Sequence, residues 1–420
     1  MRIRSIKIEN FRVIRHLEFQ CGKRINVFIG ENGAGKSTFL LALKYLLSWF
    51  IARIRNAKGR GMALTDSDIS VGANYCLLEI KLEDGTMWRL YKQRSTDRTP
   101  PQERTELEIL TQNVNAFLVA YEQNKEGLEF PVISSYGVNR AVTDVPVRLS
   151  KKHALLPMDV YGDPLENSVN FRTFFEWFRE REDIENERLR ENGVLREDVQ
   201  LAAVRRALRI VLPGYDRLRV RRNPRAFIME KEGLVFHFSQ LSDGEKCYIT
   251  LIADIARKLA MANPSLEDPL LGRGVIVIDE IDLHLHPRWQ MEVVSRLRAA
   301  FPNCQFFMTT HSPHVVVNIK TFEEEQIIRM EKGRAVEINE QSFGRSVDMV
   351  LLDYFGMNSL RNQEVQEHLN RAWKLLGEGK AKSMDFMTEL AWLKEHLETS
   401  DIELVRLLLE QVRLDKKRES

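Results

Sequence analysis

The sequence predicts an α/β fold with a mixed central sheet, an antiparallel side sheet, a helical insertion and a C-terminal helical appendage. Residues 26–29 form a short apolar strand that runs through a glycine loop into an apolar helix, which is typical of an α/β unit. Alternating residues over 75–91 surround Asp84-Gly85 and predict a two-stranded hairpin. From Phe171 onward, and again after Ser346, apolar residues recur at helical spacing.

Strands dominate the N-terminal part of the chain. Isoleucines alternate with basic and polar residues over 3–8, and a second apolar run covers 17–19. Both runs precede the strand that enters the glycine loop. The polar, proline-containing segment 93–105 is predicted to be a loop. A helix that reaches about residue 122 and a strand over 130–136 are expected to follow it.

Apolar stripes at helical spacing define the insertion and the tail. Two stripes in the insertion indicate packed helices: Phe171, Phe174, Phe175 and Phe178, then Val204, Ala207, Leu208 and Val211. The mixed-charge stretch 179–196 between them is expected to be a solvated helical hairpin. Three stripes predict three helices in the tail: Val365, Leu369, Ala372, Trp373 and Leu376; Phe386, Leu390, Leu393 and Leu397; and Ile402, Val405, Leu409 and Val412. Ser400 and Glu403 predict a capping box for the last helix.

These patterns divide the chain into four expected segments. Residues 1–165 and 231–345 are the two parts of one α/β head, and residues 166–230 are the helical insertion. Residues 346–420 are a separable helical domain that we expect to dock a partner.

Composition and charge limit the class of protein. The 420 residues include 29% charged and 44% hydrophobic residues, which is close to the average of globular proteins. A net charge of +2 argues against a strongly basic nucleic-acid module. The four cysteines are far apart without CxxC spacing, so neither a disulfide framework nor a zinc site is indicated. We expect a cytoplasmic protein without an export signal or a membrane span, because no long uninterrupted apolar run occurs.

The glycine loop has the pattern of a phosphate-binding loop. Small residues stand where backbone N–H groups must surround phosphate oxygens, and the following helix directs its N-terminus at them. Lys36 is expected to reach the β- and γ-phosphates, and the Ser37 hydroxyl to bind Mg²⁺. The candidate ATP-binding residues of the loop are Gly30, Glu31, Asn32, Gly33, Ala34, Gly35, Lys36, Ser37 and Thr38.

Three further motifs follow in a fixed order. Residues 241–245 begin a helix at which Ser242 and the Gly244 backbone would form a second anion site. The apolar strand 274–278 then ends in two carboxylates. There Asp279 is expected to hold Mg²⁺ and Glu280 to deprotonate the attacking water. Another apolar strand, 304–309, precedes His311, which is expected to contact the γ-phosphate.

Two other sets of residues have alternative interpretations. His284 and His286 have the spacing of metal ligands on a strand, but no third or fourth ligand lies nearby in the sequence, so a metal site is disfavoured. Arg217, Arg219 and Arg221 alternate within a locally basic tract that continues to Arg225. They form either a surface for a nucleic-acid backbone or a solvated, ion-paired face.

The four motifs together resemble the Walker A, signature, Walker B and H-switch motifs of ABC-type ATPases. They lie at residues 30–37, 241–245, 275–280 and His311. The resemblance implies ATP hydrolysis with Mg²⁺ in a head-to-tail homodimer. Each ATP would lie between the loop of one chain and Ser242 and Gly244 of the other. Asp243 departs from the usual glycine, which puts the closeness of that backbone contact in question.

Smaller features indicate a branch of these ATPases. The turn at 10–12 and Glu245 resemble the RecF and SMC branch, which implies that Arg12 and Glu245 belong to the ATP site. The stretches 131–148, 171–186 and 343–348 resemble PtuA, the ATPase subunit of Septu and of some retron antiviral systems. PtuA implies an HNH nuclease partner like PtuB and, in retrons, a reverse transcriptase with its RNA–DNA hybrid. Nucleic acid would then be handled by the complex, away from any membrane.

Two functions therefore stand side by side. One is an antiviral ATPase that regulates a nuclease, and the other is a RecF-like clamp that binds DNA through the arginine tract. A transporter ATPase is disfavoured, because the insertion between Ser37 and Leu241 is long and no segment is suited to a membrane partner.

Overall fold

The computed structural model describes residues 1–101, 103–123, 128–138, 157–162, 165, 171–192, 197–222, 225–338 and 340–419. The expected segment boundary at 165–166, residues 139–148 of the PtuA-like stretch and residues 193–196 of the mixed-charge stretch fall at or within the remaining positions, outside this range. The chain divides into two compact units, residues 1–350 and 351–420.

The first unit contains the strands and most of the helices. Its strands are β1 (Ile3–Phe11), β2 (Ile14–Gln20), β3 (Ile25–Ile29), β4 (Tyr75–Leu82), β5 (Met87–Gln93), β6 (Val132–Tyr136), β7 (Tyr215–Arg222), β8 (Arg225–Lys231), β9 (Leu234–His237), β10 (Gly274–Ile278), β11 (Cys304–Thr309), β12 (Gln326–Glu331) and β13 (Arg334–Glu337). The helices of the chain are α1 (Lys36–Arg55), α2 (Glu108–Gln123), α3 (Phe171–Asn192), α4 (Val199–Val211), α5 (Asp243–Ala262), α6 (Pro287–Ala300), α7 (Pro313–Val316), α8 (Val347–Asp353), α9 (Gln363–Gly377), α10 (Met384–His396) and α11 (Ile402–Glu419).

The expected fold class is confirmed by the arrangement of the sheets. The central sheet has the order β13-β12-β3-β11-β10-β6, in which only the β13 pairing is antiparallel. The side sheet has the order β2-β1-β4-β5 and is antiparallel throughout. Because parallel strands end at one edge of a sheet, the residues that follow β3, β10 and β11 come together there. That edge carries the phosphate-binding loop, Asp279 and His311.

Helix α1 is a core element of the first unit. Its Phe39 ring stacks on Phe28 of β3 with ring centroids 4.2 Å apart. By length and composition α1 also passes as a possible membrane span, but 61% of that apolar window is buried within the fold. Packing therefore accounts for its apolar character.

The insertion contains the helices α3 and α4 and then strands, so it is not helical throughout as predicted. The four phenylalanines of α3 are buried, as predicted, and Phe178 packs edge-on against Phe227 of β8 with ring centroids 5.2 Å apart. After α4 the chain forms a third sheet, β7-β8-β9, which is antiparallel. The arginine tract lies mainly on α4 and β7.

The second unit is a small helical bundle with its own core. The first two predicted stripes pack as expected, with Leu369, Leu376, Phe386 and Leu393 among the buried residues. The third predicted stripe was wrong. Helix α11 buries Leu404 and Leu407, on a different face of the helix. The predicted residues are exposed: Ile402, Val405, Leu409 and Val412.

The predicted capping box of α11 was also wrong. The Asp401 carboxylate accepts hydrogen bonds from the backbone N–H groups of Glu403 and Leu404, both at 3.0 Å. Asp401 also forms an ion pair with Arg361. Aspartate is as strong a cap as serine, and Arg361 favours the charged form of Asp401. The helix therefore begins one residue later than it would with Ser400 as its cap.

Candidate nucleotide site

The loop between β3 and α1 requires glycine at two of its positions. Gly30 has a φ of 139° and Gly35 a φ of 111°, which side chains rarely adopt. A Cβ at Gly30 would also collide with the carbonyl oxygen of Met330 on β12. Helix α1 begins at Lys36, and no described side chain caps Gly35. The amides of its first turn therefore lack intrahelical acceptors, which suits them to an anionic ligand.

Lys36 is held within this loop. Its Nζ donates to the carbonyl oxygens of Gly30 at 2.8 Å and Glu31 at 2.9 Å, and the residue is 6% exposed. Burial lowers the pKa of Lys36, while nearby carboxylates, Asp279 foremost, favour its charged form. The lysine is thus fixed close to the acidic residues that follow β10.

A threonine on β11 organises those acidic residues. Thr309 Oγ1 donates to Asp279 Oδ1 at 2.6 Å and accepts the backbone N–H of Glu280 at 2.7 Å. The Ser37 hydroxyl lies 3.3 Å from the same Asp279 oxygen. Glu280 has a φ of 49°, an unusual conformation for a non-glycine residue. The structure therefore places Ser37, Asp279 and Glu280 together, as the sequence predicted.

The next threonine binds the next carboxylate. Thr310 Oγ1 donates to Asp282 Oδ1 at 2.6 Å, and the backbone N–H of His311 reaches the same oxygen at 3.3 Å. The His311 residue is exposed at the end of β11. Its backbone is thus tied to the loop that follows Glu280.

Arg12 also reaches this region. It lines a cavity of about 270 Å³ whose wall includes Ser37, Thr38, Lys44 and Asp279. Burial lowers the pKa of Lys44, which lies in the same wall, and the charge of Asp279 opposes that shift. Arg12 is therefore a residue of the cavity and more than a solvated turn residue.

The guanidinium of Arg12 is bound by an aspartate that the sequence did not single out. Nε and Nη2 donate to Asp68 Oδ1 at 3.0 Å and 2.9 Å. The signal in the sequence was Thr65-x-x-Asp68, which is a capping pattern. Thr309 was missed as well, although it is the last residue of the strand 304–309 that was predicted to precede His311.

The motif at 241–245 forms a second cluster. Ser242 caps α5, with its hydroxyl and backbone N–H both 2.7 Å from Glu245 Oε2. The other oxygen of Glu245 accepts from Lys231 Nζ at 2.6 Å and from the Tyr215 hydroxyl. Burial alone would raise the pKa of Glu245, but the hydrogen bonds from Lys231, Tyr215 and Ser242 outweigh it and lower the pKa to about 2.

Gly244 packs against the loop that follows Glu280. A Cβ at this position would collide with the carbonyl oxygen of His284. The backbone of His284 has a φ of 64°. His286 Nδ1 accepts the backbone N–H of Arg288 at 3.2 Å and so caps α6. Within the described ranges, no group of three histidine, cysteine or acidic side chains is arranged to hold a metal ion.

The arginine tract is extensively paired within the chain. Arg217 forms an ion pair with Glu230, and Arg221 donates to His237 Nε2 at 2.9 Å. Arg219 is exposed between the buried Leu218 and Val220. The pairing of β7 with β8 is irregular between Asp216 and Arg219, and Arg217 has a φ of 48°, so the predicted alternation is interrupted at Arg217. The other ion pairs of the tract join Arg205 to Glu182, Glu185 and Glu197, Arg206 to Asp268, Arg209 to Asp216 and Arg222 to Asp183.

The chain is similar to one family of known proteins and to several individual ATPases. The family model of the AAA domain matches residues 5–210. The chain is 29% identical to the retron Vc95 probable ATPase of Vibrio cholerae serotype O1 biovar El Tor, over 78% of this chain and 73% of that protein. It is 28% identical to the retron Ec83 probable ATPase of Escherichia coli, over 98% and 86%.

A third relative and one solved structure are also similar to the chain. The Septu protein PtuA of Bacillus thuringiensis is 23% identical to the chain, over 90% of this chain and 89% of that protein. The SMC head domain of Thermotoga maritima aligns with 80% of this chain and 98% of its own, at 15% identity and a TM-score of 0.42.

Proposed function

We propose that this chain, an ABC-type ATPase of the RecF/SMC-like branch, regulates a nuclease in an antiviral defence complex. Retron ATPases and PtuA are among its relatives. Its ATP state would control when the associated nuclease acts. The observation that carries the chemistry is the meeting of Lys36, Ser37 and Asp279 at one sheet edge.

Each residue of this edge has a distinct role in the proposed reaction. Lys36 and the amides of α1 bind the β- and γ-phosphates. Ser37 and Asp279, whose oxygens lie 3.3 Å apart, are a suitable donor pair for Mg²⁺. The metal would neutralise charge that develops on the phosphates. Glu280 positions and deprotonates the attacking water, and His311 contacts the γ-phosphate.

The proposed site is completed by a second copy of the chain. In the part of the chain that the structure describes, no hydrogen bond joins residues 242–245 to the loop at 30–38. The two motifs form separate clusters, each with its own network. Ser242, Gly244 and Glu245 would therefore meet the nucleotide of a partner copy, which makes ATP a bridge between two heads.

The test is the variant Glu280→Gln. It should bind ATP as the wild type does, because the phosphate contacts remain. It should hydrolyse ATP at least about a hundredfold more slowly, because general base catalysis is lost. A dimer should accumulate, which size-exclusion chromatography with light scattering measures. Lys36→Ala is the matched control and should lose ATP binding and the dimer together. Normal turnover by Glu280→Gln would remove Glu280 from its role.

The proposed partner is an HNH nuclease of the PtuB type, accompanied in a retron setting by a reverse transcriptase with its RNA–DNA hybrid. The relatives named as retron ATPases and as Septu PtuA support this assignment. The C-terminal unit supports a docking role, because α11 presents apolar residues to solvent on the face opposite to its packed side.

A second function, a DNA-binding clamp, is favoured by the exposure of Arg217 and Arg219 on β7. Charge reversal of Arg219 and Arg221, with DNA binding measured across a salt titration, separates the two functions. A clamp should lose affinity and salt dependence together, since both arise from phosphate neutralisation. A regulator that docks a nuclease should keep its partner in that variant.

A further inference from the structure

We propose that Asp68 is a positioning residue that fixes the Arg12 guanidinium at the mouth of the nucleotide cavity. The inference rests on the proposed function, because it assigns Arg12 to the bound nucleoside triphosphate. Arg12 shares its cavity with Ser37, Thr38 and Asp279, so a ligand on the phosphate-binding loop lies within the same space. Asp68 itself does not line that cavity.

Asp68 is buried and saturated with hydrogen bonds. It is 1% exposed, and besides Arg12 it accepts from the Tyr45 hydroxyl at 3.0 Å. The Thr65 hydroxyl at 2.8 Å and the Thr65 backbone N–H at 3.0 Å complete the set. A buried carboxylate is stable only with such partners. Burial alone would raise its pKa, but these donors hold the pKa of Asp68 below its usual value.

Hydrogen bonds also hold the backbone of Arg12 to the segment around Asp68. Its N–H donates to the carbonyl oxygen of Asp68 at 2.8 Å, and the Ser70 hydroxyl donates to the carbonyl oxygen of Arg12 at 2.7 Å. Arg12 has a φ of 54°, which a non-glycine residue keeps only when its surroundings impose it. Side chain and backbone are therefore both set by the segment around Asp68.

Asp68 also connects Arg12 to the helix that carries the phosphate-binding loop. Tyr45 lies on α1, which begins with Lys36, so the arginine turn and the phosphate-binding helix are joined through one carboxylate. The Arg12 side chain remains 44% exposed, and two of its guanidinium nitrogens, Nε and Nη2, donate to Asp68. We assign the third nitrogen, Nη1, to the nucleotide.

A double-mutant cycle on the full chain tests this role, with KM for ATP and kcat measured in steady state. Arg12→Ala should raise KM about tenfold, the expected effect of losing one charge-assisted hydrogen bond. Asp68→Ala should raise KM several-fold with little change in kcat, and Asp68→Asn, which keeps one acceptor oxygen, should lie between it and the wild type. In the Arg12→Ala background, neither Asp68 change should raise KM further.

Controls separate positioning from folding. Asp66 stands in the same short turn and binds Ser95 and Lys92 instead of Arg12, so Asp66→Ala should leave KM unchanged. If Asp68→Ala does not fold, Asp68→Asn keeps the shape of the side chain and one acceptor oxygen, and it should still show a KM increase that requires Arg12.

Three results would overturn the inference. An Asp68 effect that adds fully to that of Arg12→Ala would make Asp68 merely structural, and a lower KM in Asp68→Asn would mean that Asp68 restrains Arg12. An unchanged KM in Arg12→Ala would refute the positioning role while leaving the ATPase intact. Failure of the proposed function is distinguishable from all of these, because Lys36→Ala would then keep wild-type hydrolysis.

Discussion

Thr309 Oγ1 donates to Asp279 Oδ1 at 2.6 Å and accepts the backbone N–H of Glu280 at 2.7 Å. One buried hydroxyl on β11 therefore orders two successive residues at the end of the neighbouring strand β10. Because a hydroxyl can donate one hydrogen bond and accept others at once, threonine suits this position and a purely apolar residue does not.

Thr309→Val should reduce kcat about tenfold, because it keeps the shape of the side chain but leaves Asp279 and the Glu280 amide without their shared partner. The same change should lower the free energy of unfolding by about 1–3 kcal/mol. Steady-state kinetics and denaturant unfolding measure the two effects. Thr309→Ser should restore most of kcat, and wild-type kcat in the valine variant would contradict the role of the hydroxyl.

Gly244→Ala should destabilise the protein. Alanine normally favours a helix by about 1 kcal/mol over glycine, but here its Cβ would collide with the carbonyl oxygen of His284. Gly377 at the end of α9 is the matched control, since a Cβ there has no neighbour within 4 Å among the described residues. Thermal unfolding should show a lower Tm for Gly244→Ala and no loss for Gly377→Ala. Equal Tm values would contradict the close contact.

Glu245 predicts a pH dependence of stability. Its pKa is lowered from 4.5 to about 2, so its contribution to stability is present above pH 4.5 and is lost as the pH falls toward 2. Glu245→Gln should therefore be less stable than the wild type at pH 7, and the difference should shrink below about pH 4.5. Unfolding titrations across this range measure it. Asp243→Asn, at an exposed neighbouring position, is the control. A difference that stays constant with pH would contradict the assignment.

The two faces of α11 predict different effects of the same substitution. Leu404→Ala, in the core of the second unit, should lower the free energy of unfolding by about 2–5 kcal/mol. Leu409→Ala, which is 65% exposed, should change it by less than about 0.5 kcal/mol. Only Leu409→Ala should weaken co-purification of the proposed nuclease partner while ATP binding and the fold persist. Full retention of the partner would exclude this face from docking.

Motif order and strand patterns were sufficient to predict that Ser37 and Asp279 lie close together. The approach of Ser37 to Asp279 followed from glycine spacing and from two buried strands, because parallel strands end at a common edge. The pairing of Asp68 with Arg12 could not be predicted, since the two residues are 56 positions apart in the chain and no periodic pattern links them.

The error at α11 has a different cause. This helix is apolar on two faces, and periodicity identifies both without telling which one meets α9 and α10. In the structure the face with Leu404 and Leu407 is the one buried in the core of the second unit. The third sheet was missed because residues 166–230 were expected to be a helical insertion, whereas β7, β8 and β9 pair locally.

The register between β6 and β10 has a consequence for how such a chain can diversify. These strands pair in parallel from Val132 with Gly274 to Tyr136 with Ile278, although the whole insertion lies between them in sequence. The spacing of the strand ends is thus set by the sheet register, and the length of the intervening segment does not enter it. Loops within that segment can therefore change in length while these strand ends stay in place, provided that Tyr215 keeps its hydrogen bond to Glu245.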